Sequence, residues 1–165
     1  MIEPTRITST FPVIDAALAA LPDVMLEEML PAVVESQLLL QREISERTPT
    51  SGAGTLRESI GAMPVTFSRD VIAGEVGTAL HYAQPVELGS RPHFPPIEPL
   101  AEWVSRKLGK TGDEGRGIAF AIARKIAKHG TAPRHMFRDG LAATQTQIHE
   151  ILSAAAERGL RRVSQ

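Results

Sequence analysis

The stretch VTFSRDVIAGEVG, residues 65–77, decides the fold class of this chain. Its first half alternates apolar and polar residues, its second half is rich in β-branched residues, and Arg69-Asp70 separates the two halves. This pattern is typical of an antiparallel β-hairpin. The segments on both sides of it have apolar residues at helical spacing. The sequence therefore predicts an α+β fold in which several helices pack on a small antiparallel β-sheet.

Two helices are expected upstream of the hairpin. The first spans Phe11–Leu21 and ends at Pro22, and the second begins at Asp23 and extends to about Arg47. Pro31 is expected to bend or divide the second helix, because proline lacks the N–H that an internal helical position donates. The apolar residues of the second helix recur mostly at helical spacing and are expected to face the core. They are Met25, Leu26, Met29, Leu30, Val33, Val34, Leu38 and Ile44.

A loop and an ambiguous segment are expected between the second helix and the hairpin. Residues 48–55, TPTSGAGT, are dense in turn residues and predict a loop of the kind that a binding partner orders. For Leu56–Met63 the sequence leaves a short helix and the first strand as open alternatives.

Four further segments are expected downstream of the hairpin, and a glycine ends three of them. They are Leu80–Leu88 before Gly89, Leu100–Leu108 before Gly109, the helix Gly115–Lys128 before Gly130, and a last long helix from His135 to about Arg158. The residues of the last helix expected to face the core are Phe137, Leu141, Ile148, Ile151 and Leu152. Residues 1–10 and 159–165 are expected to be flexible ends.

The composition is that of an ordinary globular protein with a single domain. The chain has 165 residues, of which 42% are hydrophobic and 22% are charged. It contains no cysteine, which excludes disulfides, thiol nucleophiles and thiolate metal sites. No apolar run approaches the ~20 residues that a membrane span needs. The N-terminal sequence lacks the pattern of a secretory signal. We therefore expect an intracellular, soluble chain with no membrane partner.

Charge is distributed unevenly along the sequence, although the net charge is −1. Residues 1–50 contain 3 basic and 8 acidic side chains, whereas residues 101–165 contain 12 basic and 6 acidic ones. This asymmetry indicates either a basic surface for an anionic partner or two oppositely charged faces. A nucleic-acid-binding module that uses the basic C-terminal third is therefore one alternative, although such domains are usually more basic overall.

No motif for catalysis, cofactor binding or metal binding has the required spacing. Gly109-Lys110-Thr111 resembles the end of a phosphate-binding loop, but Val104 occupies the position of the earlier glycine. The histidines include no i, i+4 pair that would place two imidazoles on one helical face. They are His81, His93, His129, His135 and His149. We expect no catalytic residue, cofactor or metal, and an enzyme that uses His129 and His135 is a further alternative.

Three polar or amphipathic residues need partners. Tyr82 and Trp103 are large aromatics with a polar group each, and both are expected to pack in the core or beneath a lid. Glu87 is expected to pair with Arg91, with Arg57 or with a neighbouring subunit. A surface pair of that kind contributes only ~0–1 kcal/mol.

Four sequence segments together resemble a known family. They are R-T-P…G-x-L-R-x-S in Arg47–Ser59, Y-A-x-x-V-E-x-G-S-R in Tyr82–Arg91, P-P-I-x-P-L-x-x-W-V in Pro95–Val104, and I-A-R-K-I-x-x-H-G-T-x-P-R-x-M-F in Ile122–Phe137. In order and spacing they resemble the minor tail and neck proteins of tailed bacteriophages, called tail-completion, head–tail joining or tail-terminator proteins. The resemblance spans residues 25–155, and it is interrupted at Gly109–Gly117 and at Pro85.

The resemblance implies a structural virion protein rather than an enzyme. Members of this family are expected to form a ring of six subunits, with twelve as the alternative, at the head–tail junction. Such a ring caps the tail tube protein, joins it to the head-completion or connector protein, and leaves a channel for DNA without sequence-specific binding. The implied location is the tail or neck of the virion, after assembly in the host cytoplasm. A head-side stopper or adaptor ring is the alternative within this class.

A closed ring of this kind needs two different, complementary faces on each subunit. The acidic N-terminal helix and the basic C-terminal third are the expected faces, because opposite potentials set the register of subunits. The loops Pro49–Gly54 and Ser90–Pro96 are expected to dock onto the tail tube or the connector. The candidate interface or docking residues are Arg57, Glu87, Arg91, Arg124, Lys125, Lys128 and Arg134.

Overall fold

The computed structural model describes residues 12–50, 54–68 and 71–163, with side chains from Asp23 onward. Within that part the chain forms six helices and four strands of two residues each. The helices are α1 (Pro12–Arg47), α2 (Thr55–Ser59), α3 (Ala83–Leu88), α4 (Ile97–Leu108), α5 (Gly112–His129) and α6 (Met136–Val163). The strands are β1 (Gly61–Ala62), β2 (Thr66–Phe67), β3 (Ile72–Ala73) and β4 (Val76–Gly77). The fold is thus of the α+β kind and is dominated by its helices.

The chain comprises two compact units. Unit 1 is formed by the described parts of Met1–Leu39, Ala62–Glu75 and Thr144–Gln165. Unit 2 is formed by the described parts of Leu40–Gly61 and Val76–Ala143. In sequence, unit 1 has 5 basic and 10 acidic residues, whereas unit 2 has 13 basic and 9 acidic ones. The charge asymmetry of the sequence is therefore also a difference between the two units.

The N-terminal part of the chain forms one helix rather than the two predicted. Helix α1 continues through Pro22 and Pro31, so neither proline ends it and Asp23 does not begin a new helix. Pro31 is exposed, while Ala32 and Val33 beside it are buried. Because Pro31 faces solvent, water can reach the backbone carbonyl that the proline leaves without its helical donor. Residues 1–11, which include the start of the predicted first helix, lie outside the described part.

The predicted β-hairpin is confirmed. Strand β2 pairs antiparallel with β3, with Thr66 opposite Ala73 and Phe67 opposite Ile72. The connecting residues, Arg69 and Asp70, are outside the described part. The backbone N–H of Ser68 donates to the carbonyl of Val71 over 2.8 Å. This hydrogen bond joins the two strands of the hairpin next to the connection.

Both alternatives left open for Leu56–Met63 occur in succession. The first residues of that segment belong to helix α2, and strand β1 follows it after Ile60. Strand β1 pairs with β4 in a second two-stranded sheet. The described residues thus contain two separate strand pairs rather than the one small sheet that was predicted.

In unit 1, a buried glutamine attaches α1 to the segments that flank the hairpin. The side-chain Nε2 of Gln37 donates to the carbonyl of Met63 over 2.8 Å and to the carbonyl of Glu75 over 2.9 Å. A Cβ on Gly74 would lie 2.6 Å from Cγ1 of Val33, so the backbone runs directly against α1 at that point. The backbone N–H of Met63 also donates to the carbonyl of Glu75 over 2.8 Å, so Gln37 adds two bonds to a backbone pairing that is already present.

The C-terminal segment is part of α6 and is not a frayed tail. Helix α6 extends to Val163, and Gly159 packs so close to Met25 that a Cβ there would lie 2.5 Å from its sulfur. Four side chains of unit 1 also form an exposed ion-pair cluster. In it Arg158 contacts Glu28 at 3.0 Å, and Arg162 contacts Glu28 and Glu27 at 2.9 Å each. Residues 159–163 of the segment that was predicted to be flexible are therefore helical.

This cluster makes unit 1 sensitive to acid. Hydrogen bonds from Arg158 and then Arg162 hold the pKa of Glu28 below its ordinary value of 4.5. A carboxyl group with a lowered pKa stabilises the folded state fully at pH values above its ordinary pKa. This stabilisation is lost as the pH falls through the lowered pKa. The melting temperature of the wild type should therefore fall more between pH 5 and pH 3 than that of Glu28→Gln, when unfolding of both is followed by circular dichroism at 222 nm. Equal losses in the two proteins would contradict this role for Glu28.

The hydrophobic core of unit 2 joins the end of α1 to α2, α3 and α6. Its buried members are Ile44, Leu56, Ile60, Ala83 and Met136. Thr48 is 1% exposed, and its hydroxyl donates to the carbonyl of Ile44 over 2.7 Å. That bond satisfies a buried hydroxyl at the end of α1, where helical carbonyls lack backbone donors.

Helices α4 and α5 pack against each other. Val104 of α4 and Ala119 and Ala123 of α5 are fully buried. The predicted glycine stops are confirmed: Gly89, Gly109 and Gly130 each follow a helix and each has a positive φ. Residues with a side chain rarely adopt a positive φ, so glycine is the residue preferred at the ends of these helices.

Three apolar residues predicted to face the core are exposed. Val34 is 44% exposed, Leu38 is 56% exposed and Leu141 is 50% exposed. Helical spacing identifies an apolar side of a helix, but it does not show how far a neighbouring element covers that side. These three predictions of core positions are therefore wrong, and the side chains belong to the surface.

Candidate interaction surface

The segments that resemble the phage family all lie in unit 2. Their ranges, Arg47–Ser59, Tyr82–Arg91, Pro95–Val104 and Ile122–Phe137, fall within its boundaries. The first range is held together by Arg57, whose Nη2 donates to the carbonyl of Thr48 over 2.9 Å. A cation at the end of α1 also complements the negative end of the helix dipole. Arg57, predicted as an interface residue, therefore fastens α2 to the end of α1.

Glu87 caps helix α6. Its two carboxylate oxygens accept hydrogen bonds from the backbone N–H of Phe137 over 3.0 Å and of Arg138 over 3.1 Å. The carbonyl of Glu87 also accepts the N–H of His135 over 3.1 Å. The first N–H groups of a helix have no internal partners, and a carboxylate there is favoured by the helix dipole. Glu87 thus binds backbone amides rather than the predicted Arg91 or Arg57.

Removing this cap should weaken the fold of unit 2. Glu87→Ala is expected to lower stability by roughly 0.5–2 kcal/mol, the usual cost of losing an N-terminal cap. Glu87→Gln keeps the shape and one acceptor oxygen, so its loss should be smaller. Thermal unfolding of the two variants measures the difference. Equal stability of Glu87→Ala and wild type would show that the cap is not needed.

An isolated antiparallel β-bridge between Ser90 and Thr131 fixes one end of the proline-rich loop that was predicted to dock. Ser90 and Thr131 exchange backbone hydrogen bonds of 3.1 and 3.2 Å, and their hydroxyls are 2.9 Å apart. The N–H of Arg134 donates to the carbonyl of Val86 over 2.9 Å beside them. One end of the loop Ser90–Pro96 is therefore attached to the end of α5, and Arg91 extends from it as an exposed side chain.

The exposed side of α5 combines cations with an aromatic residue. Arg116, Phe120, Arg124 and Lys128 follow each other at intervals of four residues and are all exposed. Residues four apart lie on one side of a helix. Phe94 contacts Phe120 edge to face, with ring centroids 5.9 Å apart and an interplanar angle of 62°. These five residues are called the aromatic–cationic face below.

Most cations of the predicted interface have no carboxylate partner. Within the part of the chain that the structure describes, no ion pair involves Arg91, Arg124, Lys125, Lys128 or Arg134. Arg116 is paired with Glu98 at 3.5 Å. An unpaired cation keeps its full potential for an external anion, so the positive character of this surface concentrates on the last two turns of α5.

Sequence reasoning missed Phe94 and Phe120. Phe120 is 50% exposed and Phe94 is 53% exposed, so the two rings form an apolar patch at the surface. The signal for Phe120 is present in the sequence, because it stands four residues after Arg116 and four before Arg124. Phe94 has no such signal, since it lies in a loop whose path depends on tertiary structure. Tyr82, predicted to pack in the core or beneath a lid, is 47% exposed.

Neither a metal-binding cluster nor a free acid–base group is found at the two places considered next, within the described residues. No group of three or more His, Asp or Glu side chains within them could hold a metal ion. A surface depression of unit 2 is lined by Thr78, Ala83, Gln84, Glu87, Leu88 and Phe137. Its charged side chain, Glu87, already binds the start of α6 through both oxygens. The depression therefore offers no group placed to act as acid or base.

Comparison with models of protein families, with curated proteins and with solved structures finds no match for this chain. What the aromatic–cationic face binds must therefore be judged from its own geometry and from the sequence resemblance. No helix among the described residues has both the length and the apolar character needed to cross a lipid bilayer.

Proposed function

We propose that this protein is a structural component of a tailed-phage particle. It forms a ring, of six subunits, at the head–tail junction, completes the tail tube, joins it to the head connector and leaves a channel for DNA. The observation that carries this proposal is that three of the four segments resembling the phage family meet in the core of unit 2, to which they contribute Leu56, Ala83 and Met136. Glu87 and Ser90 also bond the second segment to the last.

The charges of the two units support the formation of a ring. Head-to-tail contact between subunits requires two unlike faces that complement each other. Unit 1 has an excess of acidic residues and unit 2 an excess of basic ones. The faces differ from those expected, because Arg158 and Arg162 are already paired with Glu27 and Glu28 of the same chain. The basic partner surface is therefore the end of α5 rather than the whole C-terminal third.

The proposed neighbours of the ring are the tail tube protein and the head-completion or connector protein. The loop Ser90–Pro96 is the better placed docking loop, because its first residue is held by Thr131 while Arg91 and His93 are exposed. A preformed loop loses less conformational entropy when a partner binds. Of the loop Pro49–Gly54, residues 51–53 are not in the described part.

A nucleic-acid-binding module is the second candidate, because Arg124, Lys125 and Lys128 are exposed and unpaired within the described residues. Such binding would weaken steeply with salt, in proportion to the phosphates neutralised. Three neighbouring cations would neutralise few phosphates, so the dependence of the affinity on salt would be small. The exposed rings of Phe94 and Phe120 would have no apolar partner on the backbone of a duplex. A head-side stopper or adaptor ring is the alternative within the virion class.

The position of the protein in the particle tests this proposal. A C-terminal epitope tag, detected with gold-labelled antibody, should be seen by electron microscopy at the junction of head and tail. A matched particle in which the tag is on the tail tube protein should be labelled along the tail instead. Label on the capsid surface, or particles without label, would contradict a role at the junction.

A further inference from the structure

We propose that the aromatic–cationic face of one subunit binds the exposed side of α1 in a second copy of this chain. That side is formed by Val34, Glu35 and Leu38 and is called the apolar–acidic face below. The inference rests on the proposed ring and identifies the two surfaces that close it. Each face is exposed in the described structure, so each is available to a second molecule.

The aromatic–cationic face has the composition of a binding surface. Two phenylalanine rings lie edge to face, and each leaves about half of its surface in water. Exposed apolar groups that cluster, rather than occurring singly, usually mark a site of contact. Arg124 and Lys128 follow Phe120 at intervals of four residues on the same side of the helix, and neither is paired with a carboxylate in the described part. The surface therefore suits a partner that is both apolar and acidic.

The apolar–acidic face meets both requirements. Val34 and Leu38 are separated by four residues and are 44% and 56% exposed, so they form an apolar strip on α1. Glu35 is exposed beside them, and no ion pair of Glu35 occurs among the described residues. Folding of the chain leaves these two apolar side chains partly in water, so their apolar surface is available to a partner. A carboxylate beside an apolar strip complements an arginine beside two aromatic rings.

A second copy is favoured over a nucleic acid as the occupant. The two faces are unlike and complementary, which is the arrangement that yields a head-to-tail ring. A duplex offers phosphates to Arg124 and Lys128 but no apolar surface to Phe94 and Phe120. The apolar–acidic face would in addition stay exposed on a subunit that bound only nucleic acid.

Cross-linking between single-cysteine variants tests the contact. The chain has no cysteine of its own, so an introduced thiol is the reactive site. Pro31→Cys places a thiol beside the apolar–acidic face, and Gly117→Cys places one beside Phe120, at a glycine around which there is open space. The two variants are mixed and treated with a short bismaleimide linker. We expect at least fivefold more cross-linked heterodimer than from Pro31→Cys mixed with Gln84→Cys, an exposed position on α3.

Two further variants connect the cross-link to the named residues. Phe120→Ser added to Gly117→Cys should reduce the yield to the control level, whereas Leu88→Ser, at a residue 62% exposed on α3, should leave it unchanged. Arg124→Glu should likewise reduce the yield, and Glu35→Arg in the partner variant should restore it. The cysteine and serine substitutions are at exposed positions, and melting temperatures should confirm that each variant is folded.

The outcomes separate this inference from the proposed function. A heterodimer yield no higher than the control would overturn the contact, whatever the location of the protein in the particle. If Arg124→Glu leaves cross-linking unchanged but abolishes retention of a short DNA duplex at low salt, the face binds nucleic acid and the inference is wrong. A strong, Phe120-dependent cross-link supports the contact even if particles lacking the protein assemble normally, and in that case the phage role alone fails.

Discussion

Gly130→Ala is expected to cause the largest loss of stability of any single change considered for this protein. Gly130 has φ 69° and ψ −159°, a backbone conformation that costs roughly 1–3 kcal/mol for a residue with a side chain. A Cβ there would also overlap the carbonyl oxygen of Ser90 and lie 3.0 Å from the carbonyl carbon of Arg91. The backbone hydrogen bonds between Ser90 and Thr131 would have to break to make room for the methyl group. We expect a loss of at least ~3 kcal/mol, or about 6–12 °C in melting temperature.

Gly109→Ala is the matched control for this substitution. Gly109 also ends a helix and also has a positive φ, of 66°, but a Cβ there would meet no atom within 4 Å. Its replacement should therefore cost only the ~1–2 kcal/mol of a left-handed conformation. Thermal unfolding of the two variants measures what the extended ψ of Gly130, −159° against 16° at Gly109, and its contact with Ser90 cost together. Equal losses would contradict the expected effect of these two features at Gly130.

Ile44→Ala should produce the second large effect. Ile44 is 1% exposed, belongs to the core of unit 2 and lies against α6, where a Cβ on Gly140 would be 2.8 Å from its Cγ1. Truncation of a buried isoleucine costs about 2–5 kcal/mol through lost burial and the cavity that remains. Chemical denaturation should show this as a lower midpoint with an unchanged slope.

Leu38→Ala on the same helix is the control. Leu38 is 56% exposed, so its truncation removes little buried surface and should change stability by less than about 0.5 kcal/mol. It should nevertheless weaken association between subunits, because Leu38 belongs to the apolar–acidic face. If Leu38→Ala destabilised the monomer as much as Ile44→Ala, Leu38 would be a core residue and the account of that face would be wrong.

The pair Leu38 and Ile44 shows the limit of sequence patterns in this chain. Both residues have the helical spacing expected of core positions, and only Ile44 is covered by other elements. Local signals were sufficient where local chemistry decides, as at the hairpin of β2 and β3 and at the glycines that follow α3, α4 and α5. Spacing along one helix contains no information about the elements that pack on it.

Errors at the two ends of the chain have the same origin. Pro22 and Pro31 were expected to divide α1, but the preference of a single residue is weaker than the packing of a long helix. The C-terminal segment was expected to fray, but Arg162 contacts Glu27 and Glu28, which are more than 130 residues away in sequence. No local pattern reports such a pair.

The predicted interface residues fall into two groups. Arg91, Arg124, Lys125, Lys128 and Arg134 are exposed. Arg57 and Glu87 are bonded within the subunit, to the carbonyl of Thr48 after α1 and to amide groups of α6. A charged residue that caps a distant helix cannot be told from a docking residue by sequence, because the element that it caps is brought near by folding. That these cations bind a neighbouring subunit stays a prediction.

Electron microscopy after disruption of the gene for this protein tests the proposed role at the head–tail junction. The particles that the disrupted genome produces are compared with those made when a plasmid copy of the gene restores the protein. We expect DNA-filled heads separated from tails, or tails of abnormal length, with abnormal length indicating that the ring also ends tail growth. Intact particles with joined tails of normal length would contradict a role at the head–tail junction.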